Sequence, residues 1–187
     1  GTAPAGGSTG FIAINTGSGS ALTFNLVWYD GLGTHNNLYM EYYGPAPTYT
    51  LLAKSESATT ESLRGTESKY SNHTLTVAAG TRYVRVFNTS GNSQFFHIYF
   101  DNWGYTNITF ASPDANYTIG QPASADNGFA VGSYVSRYDW IASDGTGPWF
   151  YSGYTLNDIA LYSSRGPRID GLQKPNISAP GHAIISL

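Results

Sequence analysis

Between residues 20 and 30 the chain alternates with a period of two. Leu22, Phe24, Leu26 and Trp28 fall on one side, and Thr23, Asn25, Val27 and Tyr29 on the other. That period is the side-chain repeat of an extended strand, so the segment predicts a strand with one buried and one mostly polar face. The pattern recurs in residues 11–14, in Leu38, Met40 and Tyr42, in Leu75 and Val77, in Val84 and Val86, and in Phe96, Ile98 and Phe100; a last run covers residues 105–110. Turn-forming breaks separate the runs at Gly17-Ser18-Gly19, Asp30-Gly31, Gly44-Pro45, Ala79-Gly80 and Ser90-Gly91-Asn92. The count is about eight strands with no helical period. Strands with one apolar face need a second sheet to cover it. The expectation is therefore a mainly β protein, with an antiparallel β-sandwich of jelly-roll type over residues 9–112. Residues 1–8 read as a linker or a cut end, and residues 54–70, polar and low in apolar residues, as a long loop or ragged edge.

The texture changes over residues 113–187. Residues 129–132 (FAVG) read as a short buried strand ending at Gly132, residues 158–162 (DIALY) as another, and residues 183–187 as a final apolar strand. Residues 143–157 and 163–179 read as irregular. A final strand at the very end of the sequence suggests a domain that continues beyond it.

Composition narrows the setting. Charged residues are 11% and aromatic residues 15% of the chain, with 15 Tyr and 22 Gly. Few charges among many Tyr, Thr, Ser and Asn suit an extracellular β-protein, secreted or on the cell surface. The formal net charge of -3 offers no basic stripe for nucleic acid or an anionic membrane. Cysteine is absent, which excludes disulfides and thiolate metal sites. Asn72, Asn88, Asn107, Asn116 and Asn176 each open an N-x-S/T sequon, meaningful only in a pathway that attaches glycans.

Reactive motifs are missing. His35, His73, His97 and His182 accompany many Ser and Asp, but no G-x-S-x-G elbow is present. His97 lies out of phase with Phe96 and Ile98, so it points outward from its strand. No H-E-x-x-H or EF-hand pattern occurs, and Asp139, Asp144, Asp158 and Asp170 read as solvated loop carboxylates. Trp28, Trp103, Trp140 and Trp149 with the Tyr set offer a sugar-stacking face, against the plainer reading that they fill cores and strand surfaces.

Residues 158–187 read DIALYSSRGPRIDGLQKPNISAPGHAIISL. Ser163, Ser164, Gly166, Pro167, Asp170, Gly171, Lys174, Pro175, Ala179, Pro180 and Gly181 match, in order and register, a stretch of the subtilisin-like serine peptidases. Upstream, residues 122–132 (PASADNGFAVG) resemble that family's P-A…V-G strand. The resemblance covers roughly residues 115–187. Asn176 departs from the usual Asp, Tyr162 from a common Phe, and the loop 136–157 is long.

The resemblance implies that residues 113–187 are a partial segment of the subtilisin α/β fold and that residues 9–112 are a domain inserted within it. That sandwich is also similar to the modules that accompany secreted peptidases. In the family the triad and the oxyanion Asn sit in G-T-S-M-A, H-G-T, D-T/S-G and A-G-N segments, none of which is present. The chain is thus expected to be an inactive internal piece of a secreted endopeptidase, with no catalytic residue of its own. Its expected partners are the rest of the catalytic domain and a protein or peptide substrate. By carry-over, Gly120, Gln121 and Pro122 either line the floor of the substrate pocket or are ordinary turn residues. The backbone carbonyls of Ala123, Ala125 and Gly128 would hold a calcium or monovalent cation, with no other cofactor implied. The alternative is a non-catalytic sandwich that binds carbohydrate or protein.

Overall fold

The computed structural model describes residues 1–17, 20–33, 35–55, 60–61, 66–100 and 108–184. The chain divides into two compact units, Gly1–Pro113 and Asp114–Leu187. Among the described residues there is no helix.

The first unit contains β1 (Thr2–Ala3), β2 (Ile12–Thr16), β3 (Ser20–Tyr29), β4 (Leu38–Tyr43), β5 (Leu51–Lys54), β6 (Thr60–Glu61), β7 (Thr66–Val77), β8 (Gly80–Asn88), β9 (Gln94–Phe100) and β10 (Ile108–Phe110). They form two five-stranded sheets, ordered β1-β9-β3-β7-β6 and β10-β2-β8-β4-β5. Every pairing within them is antiparallel. One core joins the sheets. Phe24, Leu26, Trp28 and Phe96 come from the first, and Ile14, Leu38, Met40, Tyr42, Val84, Val86 and Ile108 from the second. These are the inward positions that the period-two pattern marks. Burying such side chains contributes roughly 1.5–3 kcal/mol each, which is what holds two one-sided sheets together.

Several expectations need correction. Residues 54–70 are not simply a loop: β7 begins at Thr66 and pairs with β3 along most of its length, and β6 pairs with β7. Ladder hydrogen bonds come from the backbone, so the polar run Thr66–Val77 forms a strand without a continuous apolar face. Of the run 105–110, the described part is the strand Ile108–Phe110; residues 101–107 lie outside the described residues. Trp28 is fully buried, so it presents no ring to a ligand. His97 points to the outer face as its phase requires, but it is half-buried beside Phe95, with ring centroids 4.8 Å apart.

The second unit holds β11 (Val131–Val135), β12 (Asp139–Trp140), β13 (Trp149–Phe150) and β14 (Ile177–His182). β11 and β14 pair in parallel, with an irregularity between Tyr134 and Val135, and β12 and β13 form a short antiparallel pair. The buried strand placed at 129–132 actually begins at Val131 and runs on through Gly132; Phe129 and Val131 are 74% and 57% exposed. Residues 158–162 form no strand beyond an isolated bridge of Ile159 to Tyr134. Asp158 turns the chain there by accepting the Ile159 N–H at 2.7 Å. The last strand of the described residues lies at Ile177–His182; of the strand expected at 183–187, residues 183–184 are not in a strand and residues 185–187 lie outside the described residues.

Candidate functional site

The motif-bearing residues of the second unit gather around β11 and β14. Residues 120–128 approach β11 as a tight turn. The Gly120 carbonyl accepts the Ser124 N–H at 3.0 Å, the Pro122 carbonyl the Ala125 N–H at 3.1 Å, and the Ala125 carbonyl the Gly128 N–H at 3.2 Å. Gly120, Gln121 and Pro122 are exposed at the start of this turn, and a Cβ on Gly120 would meet nothing within 4 Å.

Residues 163–175 fold back on themselves beside it. The Arg168 N–H donates to the Leu172 carbonyl at 2.9 Å and the Gly171 N–H to the Arg168 carbonyl at 2.8 Å. Gly171 has φ 86°, a left-handed conformation that glycine adopts without strain. Ser163 Oγ accepts the Ser133 N–H at 3.0 Å, so this serine fastens the loop to β11. Ser164 is exposed. Tyr162, at the usual Phe position, donates its hydroxyl to the Gly181 carbonyl at 2.7 Å.

Three motif glycines are required by close approach. A Cβ on Gly132 would lie 2.9 Å from Pro175 Cγ. On Gly181 it would lie 3.0 Å from Ser133 Cβ. On Gly166 it would overlap the carbonyl oxygen of Lys174 and lie 2.9 Å from its carbonyl carbon. Pro167, Pro175, Ala179 and Pro180 complete the same loop and strand, with Pro180 and Ala179 in register with Tyr134 and Ser133 of β11.

Charges anchor the loop to the turn. Arg168 makes a two-pronged pair with Asp170: its Nε donates to Oδ1 at 2.7 Å, and its Nη2 donates to Oδ2. Arg168 Nη1 also reaches the Ser124 carbonyl at 2.7 Å and Asp126 Oδ1 at 2.6 Å. The hydrogen bonds from Arg168 hold the Asp170 carboxyl below its usual 3.8, and Asp170 in turn raises the guanidinium. Lys174 is 1% exposed; its Nζ donates to the Gly128 carbonyl and, at 3.1 Å, to Asn176 Oδ1. Asn176 Oδ1 also accepts the Ala130 N–H at 2.8 Å, and the Asn176 N–H donates to the Ala130 carbonyl at 2.8 Å. Asn176 therefore ties the start of β14 to the start of β11.

These contacts bear on the cation expected on Ala123, Ala125 and Gly128. The Ala125 carbonyl already accepts an N–H, and the Gly128 carbonyl accepts a lysine ammonium. Like unit charges about 4 Å apart repel by about 4 kcal/mol at an effective dielectric of about 20. A metal ion beside Lys174 does not fit this arrangement. Among the described residues no cluster of three His, Asp or Glu side chains offers another metal site.

The remaining candidates are dispersed. Trp140 and Trp149 pair across β12 and β13, Trp28 lies in the core of the first unit, and Trp103 lies outside the described residues. His182 is buried, with its ring stacked on Tyr154 at 3.8 Å. An aromatic row that a search for Trp misses lies on the outer face of the β4–β8 pair. There Tyr39 stacks on Phe87 at 4.9 Å, and Phe11 stacks on Tyr49 at 4.2 Å. The alternation of Tyr39, Glu41 and Tyr43 against Tyr83, Arg85 and Phe87 is its sequence signal.

Residues 10–186 match the subtilase family, and the chain belongs to that family. Pyrolysin from Pyrococcus furiosus is 46% identical over 69 residues, which are 37% of this chain and 5% of pyrolysin. The structure of the CspB protease of Clostridium perfringens superposes on all of this chain and 39% of its own, with a TM-score of 0.58 and 18% identity, a likeness of fold alone. The chain thus spans a small part of each relative.

Proposed function

We propose that this chain is a segment of a secreted subtilisin-like serine endopeptidase, supplying scaffold and part of the substrate pocket rather than the reacting groups. The observation that carries the proposal is steric. Gly132, Gly166 and Gly181 of the family motifs each sit where a Cβ would collide. The motif match therefore reflects a packed substructure rather than a chance string of residues.

The parallel pair β11–β14 supports the same reading. Parallel strands belong to sheets covered on both faces. Here Phe129, Val131, Leu161, Ile177 and Ile184 are more than half exposed. The rest of a catalytic domain is the partner that would extend the pair and cover these side chains. Gly120, Gln121 and Pro122 are exposed, with open space around Gly120, which suits a pocket floor that admits a large apolar side chain. The first unit we read as a jelly-roll-like domain inserted in that catalytic domain. Its chain passes between the two sheets at β1–β2, β2–β3, β3–β4, β5–β6, β7–β8, β8–β9 and β9–β10, and one family match over residues 10–186 spans both units. No helix of the described residues is long and apolar enough to cross a membrane. The scarcity of charge and the abundance of Tyr, Thr and Asn fit an extracytoplasmic setting.

In the complete enzyme a serine outside this sequence would attack the peptide carbonyl, with a histidine as base. The 187-residue chain should leave a peptide substrate uncleaved, whereas a longer product that contains it should cleave it. Hydrolysis by the chain itself, stopped by a serine-directed inhibitor, would sink the proposal.

A second reading, a carbohydrate-binding sandwich, rests on the outer aromatic row with Arg85 and Lys54 beside it. Those rings pack on one another, which favours a structural role. Polysaccharide binding lost in Y83A would favour the ligand.

A further inference from the structure

Lysine is almost never fully buried unless its charge is partnered. Lys174 is nevertheless among the largest fully buried side chains of this chain. Among the described residues no carboxylate forms an ion pair with it; the salt bridges of the second unit belong to Arg168. The acceptors it does have are uncharged oxygens: the carbonyl of Gly128 and the side-chain oxygen of Asn176. Arg168 repeats the arrangement on the same turn, where its Nη1 donates to the Ser124 carbonyl at 2.7 Å. Two cationic heads from one loop therefore land on the carbonyls of one turn.

We propose that the 120–128 turn is held by the chain's own cations, Lys174 and Arg168, in place of a metal ion. Backbone carbonyls and a nearby carboxylate are the ligand set a hard cation takes. Here an ammonium and a guanidinium supply the positive charge, with directional N–H donors. Asn176 completes the exchange. A carboxylate at 176 would add the negative charge that draws in a metal ion; the amide keeps the acceptor and removes the charge. Its one oxygen takes both the Ala130 N–H and the Lys174 ammonium. The Asn at 176 and the buried lysine are thus two halves of one design, and the fold of this turn needs no bound ion. This holds whether or not residues 120–122 line a substrate pocket.

The test is thermal unfolding of the 187-residue chain in EDTA and in millimolar CaCl2, NaCl or KCl, for wild type, K174M, N176D and K174M/N176D. Wild type and N176D should show the same Tm in every solution. K174M leaves the Gly128 carbonyl without its lysine donor and Asn176 Oδ1 with the Ala130 N–H alone, and should lose about 5–10 °C. K174M/N176D rebuilds a metal-like ligand set and should recover part of that loss when CaCl2 is added. A wild-type Tm that rises with CaCl2 or KCl and falls in EDTA overturns the proposal, as does a K174M as stable as wild type. If the lysine variants do not fold, the wild-type and N176D measurements still decide it.

Discussion

Substituting Gly166 by Ala adds a single methyl group at the tightest point of the second unit. The new Cβ would overlap the carbonyl oxygen of Lys174 and stand 2.9 Å from its carbon and 3.2 Å from its nitrogen. All three are backbone atoms of the loop that Gly171, Arg168 and Leu172 close, so no side chain can rotate away. Overpacking costs about 1–3 kcal/mol where side chains can adjust, and a backbone clash belongs at or above the top of that range. About 3 kcal/mol in a chain of this size lowers Tm by roughly 6–12 °C. The shift also displaces the Lys174 backbone, so the loss should fall on the second unit. Differential scanning calorimetry of G166A beside G120A makes the comparison. Gly120 lies in the same unit with open space around it, so G120A should match wild type or exceed it slightly. A G166A variant as stable as G120A would refute the steric account of the SSRGP loop.

Two further outcomes follow from the charges and the phenols. Asp170 titrates below its usual 3.8 because Arg168 hydrogen-bonds it, so its contribution is present above pH 3.8 and is lost as pH falls through the lowered value. D170N should cost on the order of 1 kcal/mol at neutral pH, a figure discounted for the part of the pair that faces solvent. Its stability gap from wild type should narrow as pH falls below 3.8; a gap that stays constant or widens as the solution is acidified would contradict this. Burial pushes Tyr99 from 10.0 up to about 12, so stability should decline as pH rises between those values. Y99F should flatten that decline, which alkaline unfolding followed by circular dichroism would show.

The sandwich was legible because its strands alternate. Phe24, Leu26 and Trp28 carry the inward phase of β3, and Leu38, Met40 and Tyr42 that of β4. Where alternation fails, so does the reading. β7 is Thr-, Ser- and Asn-rich and is held by backbone pairing with β3, which a hydrophobic pattern does not register. β14 was hidden for a similar reason. Ile177–His182 contains Pro180 and Gly181 and shows no apolar run, yet it pairs in parallel with β11. The irregular stretch 163–179 and its motif were legible, but not how it is held. Asp170 read as a solvated loop carboxylate, whereas the structure pairs it with Arg168; the other partners of Arg168 and Lys174, the Ser124 and Gly128 carbonyls, lie more than 40 residues away in sequence. The only local hint was the Arg168-x-Asp170 spacing.

The reactive serine should lie outside residues 1–187. Fluorophosphonate labelling of a longer gene product that contains this chain, followed by peptide mass spectrometry, locates it directly. The prediction is a single adduct on a serine outside residues 1–187, with Ser163 and Ser164 unmodified. An adduct on any serine within residues 1–187 would contradict the claim that this chain frames the active site without supplying its nucleophile.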